Sequence, residues 1–194
     1  MDIVPATTPQ TTADQIKALV DAHQVLGPVV IVGIRGYYKD TMGVPKVNDI
    51  GIYDDALFIS APDCFVAFNA NTDPSVAKPG VACLKPGVWS YKVGIHGLNK
   101  PPDKRYTALV QAKEVTVIRD GDFPGSPIRH TVEGIKHEDT GMFGINIHRG
   151  GYNTTSSLGC QTIYPKQWDS FIATVQMQLK RHNQVIVPYI LTET

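Results

Sequence analysis

From Val29 onward the chain is cut into short apolar or β-branched runs, each closed by Gly, Pro, Asn or Asp. Val29–Ile34, Ala56–Ser60, Cys64–Asn69, Val88–Val93, Glu114–Arg119 and Gly144–Ile147 are such runs. Runs this short, bounded by turn formers, predict strands joined by tight connections rather than long helices. The 17 glycines and 14 prolines concentrate in this middle region, where those turns need them.

Helical spacing occurs only at the two ends. Thr11-Thr12-Ala13-Asp14 introduces Gln15–Gln24, in which Ile16, Leu19, Val20 and His23 repeat on one face, and Gly27-Pro28 stops the pattern. Near the C-terminus, Pro165 precedes Trp168–Arg181, where Trp168, Phe171, Ile172, Val175 and Leu179 form an apolar stripe. Val185–Leu191 then reads as a last strand, with Pro188 placing it at a sheet edge. The expected fold is mainly β with flanking helices, a single domain in which residues 1–28 are an N-terminal helical segment and residues 29–194 carry the sheets.

Charge and composition exclude several partners. Eighteen basic residues balance eighteen acidic ones, and no block of like charge occurs, so no nucleic acid partner is expected. No apolar run approaches the ~20 residues of a membrane-spanning helix, so the chain is expected to be soluble, with no integral membrane segment. Residues 1–30 lack a basic n-region followed by an unbroken apolar stretch, which predicts synthesis in the cytoplasm without a signal peptide. Cys64, Cys83 and Cys160 form no CxxC pair, and their odd number leaves a thiol outside any internal disulfide. Cys64 and Cys83 lie in apolar strand contexts and read as core residues. His96, His130, His137 and His148 do not form HExxH or a comparable spacing, so neither a metal nor another cofactor is expected. A monomer is expected.

The segment Gly144–Gln161 carries the chemistry. It places His148 at a strand end, follows it with a polar loop rich in Gly, Ser and Thr, and returns with Gly159-Cys160. Cysteine catalysis needs a thiolate, a base that generates it and backbone N–H donors for the oxyanion. His148 can be the base, Cys160 the nucleophile, Gly159 the residue that leaves room for a substrate carbonyl, and the amides around Leu158–Cys160 the donors. A cysteine in this setting reads equally as a buried core residue, and a histidine after a strand as a packing residue.

The residues His148, Ser157, Gly159 and Cys160 resemble the active-site pattern of the L,D-transpeptidase (YkuD-like) family, a histidine followed after a spacer by Ser-His-Gly-Cys. The segment Cys83–Tyr91, with Pro86, Gly87 and Trp89, is similar to that family's upstream Thr-Pro-x-Gly-x-aromatic strand. The resemblance spans roughly residues 55–165 and extends to proteins of the kind found among phage lysis genes. It implies a β-sandwich-like catalytic domain, Cys160 as the nucleophile on peptidoglycan stem peptides, His148 as its base, and bacterial peptidoglycan as the partner, reached after release from the cell. Leu158 stands where the pattern has its inner histidine, and Gln161-Thr162 follow the cysteine.

Other polar residues have weaker claims. Arg149, next to His148, is expected to hold a substrate carboxylate, ahead of Arg35. Gln161 is expected to contact substrate. His96, in Gly94-Ile95-His96-Gly97, is either a second functional histidine or a turn residue. Glu138, in His137-Glu138-Asp139, is either a solvated loop charge or a general acid on the glycan, which would make the chain a muramidase-type glycoside hydrolase. Asp54-Asp55 and Asn69–Asp73 read as Asx-rich turns or substrate-contacting loops. A non-catalytic wall-binding module is the remaining alternative.

Overall fold

The computed structural model describes residues 2–76, 81–119 and 137–194. The chain is mainly β with two helices, in one compact domain. In chain order the elements are α1 (Ala13–Ala22), β1 (Val30–Arg35), β2 (Asp55–Ala61), β3 (Cys64–Asn71), β4 (Ala82–Leu84), β5 (Gly87–His96), β6 (Tyr106–Gln111), β7 (Val115–Arg119), β8 (His137–Gly141), β9 (Ile147–Arg149), β10 (Gln161–Ile163), α2 (Pro165–Arg181) and β11 (Ile186–Glu193). Eight strands close into a barrel in the order β1-β11-β5-β6-β9-β10-β3-β2, and β4-β7-β8 form a separate three-stranded sheet. The resemblance to the L,D-transpeptidase family implies facing sheets of a sandwich; among the described residues the larger sheet instead closes on itself.

Closure depends on β11. It runs parallel to β1, with Ile31 opposite Tyr189, and antiparallel to β5, with Tyr189 opposite Trp89. The edge position expected from Pro188 is therefore wrong, since β11 is paired on both sides. Proline lacks an N–H, and the nearby Val29 carbonyl accepts instead from the Gln184 side chain (2.8 Å), whose carbonyl oxygen receives the Val29 N–H (2.9 Å).

Strand alternation divides the core in two. Ile31 of β1 joins Leu57, Ile59, Phe68, Leu109, Ile147 and Tyr189 in the main cluster, to which α2 adds Trp168, Phe171, Val175 and Leu179. Val30, Val32 and Ile34 point the other way and pack with Ala56, Phe58 and Ile190 against Ile16 of α1. Helix α1 starts at Thr12, which forms a capping box with Gln15, and so covers a face of β1 that would otherwise be apolar and wet. Among the described residues, no helix is long and apolar enough to cross a membrane.

The strand expected over Gly144–Ile147 is shifted. Residues 142–146 form an irregular segment in which Gly144 takes a left-handed φ of +73°, and β9 begins at Ile147. Residues 142–144 instead line the cleft described next.

Candidate active site

The parallel pairing of β9 and β10 decides where Cys160 goes. Gln161 sits opposite Ile147 and Thr162 opposite His148, so the loop after Arg149 must carry the chain back before β10 can begin. Cys160 consequently arrives level with Asn146, two residues before His148. The Gln161 N–H donates to the Asn146 carbonyl (2.9 Å), and the Asn146 N–H points at the Cys160 sulfur (3.4 Å). Two residues along a strand are roughly 7 Å apart and on one face. Cys160 and His148 thus share a face.

Both line a cleft of about 830 Å³, together with His96, Tyr106, Asn146, Arg149 and others. The imidazoles of His96 and His148 stack at 4.1 Å, with planes 23° apart. His148 Nδ1 lies 2.7 Å from the Arg149 carbonyl oxygen. A carbonyl only accepts, so Nδ1 carries the proton and Nε2 keeps its lone pair. The Tyr106 hydroxyl also donates to that carbonyl (3.4 Å). The Asn146 side-chain oxygen accepts the Gln111 N–H (3.3 Å), which leaves its Nδ2 to donate to His96 Nδ1 (3.1 Å). His96 therefore carries its proton on Nε2.

Burial keeps the Cys160 thiol and the two imidazoles of the cleft uncharged at rest. It lowers the His148 pKa to about 3, helped by the charge that His96 would carry beside it. His96 is lowered by burial and then by the Lys100 ammonium. The half-buried Cys160 thiol is raised by burial, against the opposing pull of the Asn146 N–H and the Lys100 charge. Neutral thiol and neutral imidazole coexist here, rather than a thiolate-imidazolium pair. The thiol donates to the Gly144 carbonyl (3.5 Å), and among the described residues no hydrogen bond joins Cys160 to His148.

Ser157 and Gly159 shape the turn before the sulfur. The Ser157 hydroxyl donates to the Cys160 carbonyl (2.6 Å) and accepts the Gly159 N–H (2.9 Å), while the Ser157 N–H donates to Ser75 Oγ (2.6 Å). Gly159 has φ +141° and a Cβ there would collide with the Ala82 carbonyl, so the turn admits only glycine. Ser157 positions Cys160 through its backbone. The Gly159 amide, expected as an oxyanion donor, is already engaged; the N–H aimed at the sulfur belongs to Asn146.

The remaining expected residues divide clearly. Arg149 is exposed on the cleft wall, its guanidinium 5.2 Å from the Tyr106 ring. His96 belongs to the cleft, not merely to a turn. Gln161 does not line the cleft: it is fully buried, accepts from the Tyr189 hydroxyl (3.1 Å) and donates to the Gly159 carbonyl (3.2 Å). Glu138 lies on β8 in the separate sheet, paired with Lys85 (2.6 Å), and does not line the cleft. Arg35, Asp54, Asp55 and Asp73 are buried together away from it. Cys83 is buried, as expected, and Cys64 is half-buried. His130 lies outside the described residues, and among those described no three His, Cys, Asp or Glu side chains group as metal ligands.

Tyr106, Asn146, Gln111 and Lys100 were not expected in the site. Gln111 Oε1 accepts the N–H groups of Phe143, Gly144 and Ile145 (3.1, 3.0 and 3.1 Å), and its Nε2 donates to the Gly141 carbonyl (2.7 Å). One side chain thus holds the loop whose Gly144 carbonyl receives the thiol. The Ile145-Asn146-Ile147-His148 alternation was the one available signal, since it puts Asn146 on the face of His148. No family model, no curated protein and no solved structure matches the chain.

Proposed function

We propose that the chain is a peptidoglycan hydrolase that cleaves stem-peptide amides through an acyl intermediate on Cys160, with His148 as general base. The observation that carries this reading is a cleft holding a half-buried thiol and an imidazole whose free lone pair is fixed by the Arg149 carbonyl. The Ser157-x-Gly159-Cys160 pattern supports the finer proposal of an L,D-transpeptidase-like catalytic domain.

Substrate entry displaces water and turns the thiol away from the Gly144 carbonyl. His148 Nε2 takes the thiol proton, directly or through one water, and the sulfur attacks the amide carbon. The Asn146 N–H, already directed at the sulfur, stabilises negative charge developing there. The imidazolium returns its proton to the amide nitrogen, the amine leaves, and a thioester remains. Water then attacks the thioester and gives a proton to Nε2; the C–S bond breaks, the imidazolium returns that proton to the leaving sulfur, and the carboxylic acid departs.

The test is mass spectrometry of soluble products from purified sacculi. Wild type is expected to release stem-peptide fragments with new amino and carboxyl ends and no new reducing sugars, and His148→Ala to release none. Disaccharide-peptides with new reducing ends would overturn the reading in favour of a glycosidase.

A further inference from the structure

Lys100 and Arg149 are the only charged side chains among the described residues lining the cleft, and no Asp or Glu accompanies them. The chain as a whole is neutral, so this excess is local. With both histidines and the thiol uncharged at rest, the cleft carries two positive charges that no acidic side chain among the described lining residues compensates, and concave walls of low dielectric focus their field inward.

Both cations are exposed, and each is anchored at its base or along its side chain. The Lys100 N–H donates to the Gly97 carbonyl (2.8 Å), and the Lys100 carbonyl accepts from Arg105 Nε (2.8 Å), so the base of the side chain is held at both ends. Its methylenes fold back over Gly97, where an added Cβ would stand 3.2 Å from Lys100 Cδ, next to His96. The Lys100 charge pulls the pKa values of His96, His148 and Cys160 down alike. The Arg149 guanidinium is held over the Tyr106 ring. Among the described residues neither forms an ion pair, whereas Lys17, Arg35, Lys85, Lys104 and Arg181 each have a carboxylate partner.

We propose that the cleft selects substrates presenting a carboxylate close to the bond that Cys160 attacks, with Lys100 and Arg149 as the cations that receive it. The planar guanidinium suits a carboxylate's two oxygens, and the ammonium supplies a point charge. This rests on the cysteine reading only for the bond attacked; the preference for an anion stands on the cleft's own charges.

Alkylation of Cys160 in the full chain tests it, using iodoacetate, which is anionic, and iodoacetamide, which is neutral and of similar shape. Peptide mass spectrometry separates Cys160 from Cys64 and Cys83, and a small neutral thiol gives the reference ratio of the two rates. The iodoacetate-to-iodoacetamide ratio at Cys160 is expected to exceed the reference about fivefold or more, as one to two exposed charge contacts would give. Lys100→Met combined with Arg149→Met, or about 0.5 M salt, is expected to return it to the reference, and Lys100→Arg to keep it. A wild-type ratio equal to the reference, or one unchanged in the double variant, would overturn the proposal. Should the thiol react with neither reagent, the imidazole resonances of Cys160→Ala are followed during titration with an N-acetylated dipeptide and with its C-terminal amide. Tighter binding of the acid supports the proposal, and equal binding overturns it. An anion preference without any sacculus cleavage would contradict the hydrolase reading while leaving this one intact.

Discussion

Two clusters of polar side chains lie in or near the barrel, and they are built on opposite lines. In the cleft, the groups that could be charged at Cys160, His148 and His96 are held neutral, and one lone pair is left free. In the buried cluster between β1, β2 and the segment after β3, charges face each other and are tied down. Arg35 meets Asp73 (3.1 Å) and donates to the carbonyls of Thr72 (2.9 Å) and Leu84 (3.0 Å). Asp55 accepts the N–H groups of Gly36 (2.6 Å) and Thr72. The contrast separates two uses of polar residues: the closed cluster cross-links the barrel, and the open cleft keeps reactivity in reserve.

Removing one charge from the closed cluster should produce the largest stability effect. Arg35→Met leaves Asp73 and Asp55 buried without their cation and is expected to cost about 3–5 kcal/mol in urea unfolding, with no specific effect on the cleft. A cost near zero would mean that the cluster is not the cross-link described.

The two regions should also fail at opposite ends of the pH scale. His148 has its folded pKa lowered to about 3 by burial, below the unfolded value near 6.5. Its contribution is present above the unfolded value and is lost as pH falls from there toward the folded one, a loss of a few kcal/mol. Asp54 and Asp55 are raised, by burial first and then by like-charged neighbours, Asp55 for Asp54 and Asp73 for Asp55. Their contribution is complete below the unfolded carboxyl range and drains as pH rises through the folded values. His148→Phe is expected to flatten the acid limb of the stability profile, and Asp54→Asn the alkaline limb. Exchange of these two effects would break the comparison.

Gln111→Leu sharpens it from the cleft side. Three N–H groups lose their shared acceptor, at an expected cost of about 2 kcal/mol because the exposed loop can turn partly to water. Sacculus cleavage should fall by more than this loss of stability explains, since the Gly144 carbonyl moves with the loop. Tyr106→Phe is expected to have the smallest effect, under about 1 kcal/mol in stability, because the Arg149 carbonyl keeps its bond from His148.

Both helices and most strands were legible in the sequence, because α1, α2 and the runs of β1, β2, β3, β5, β7 and β11 have the periodicity and end signals of their class. Barrel closure was not. It depends on β1 pairing with β11 across nearly the whole chain, and Pro188 read locally as an edge signal. Cys160 and His148 were visible because the polar loop between them returns along a neighbouring strand. Tyr106 and Gln111 come from β6, which carried no signal of its own, and reach the site only through the β5-β6-β9 neighbourhood. Asp55 and Arg35 show the reverse error: exposed loop chemistry was expected where a one-residue extension of a strand, β2 starting at Asp55 and β1 ending at Arg35, buries the charge.

The most direct test of the account is sacculus digestion by Cys160→Ala beside wild type, with unfolding followed on the same samples. We predict an unchanged unfolding midpoint and a loss of cleavage of about 10³-fold or more. Cleavage at the wild-type rate by a folded Cys160→Ala chain would contradict it and remove the cysteine from the reaction.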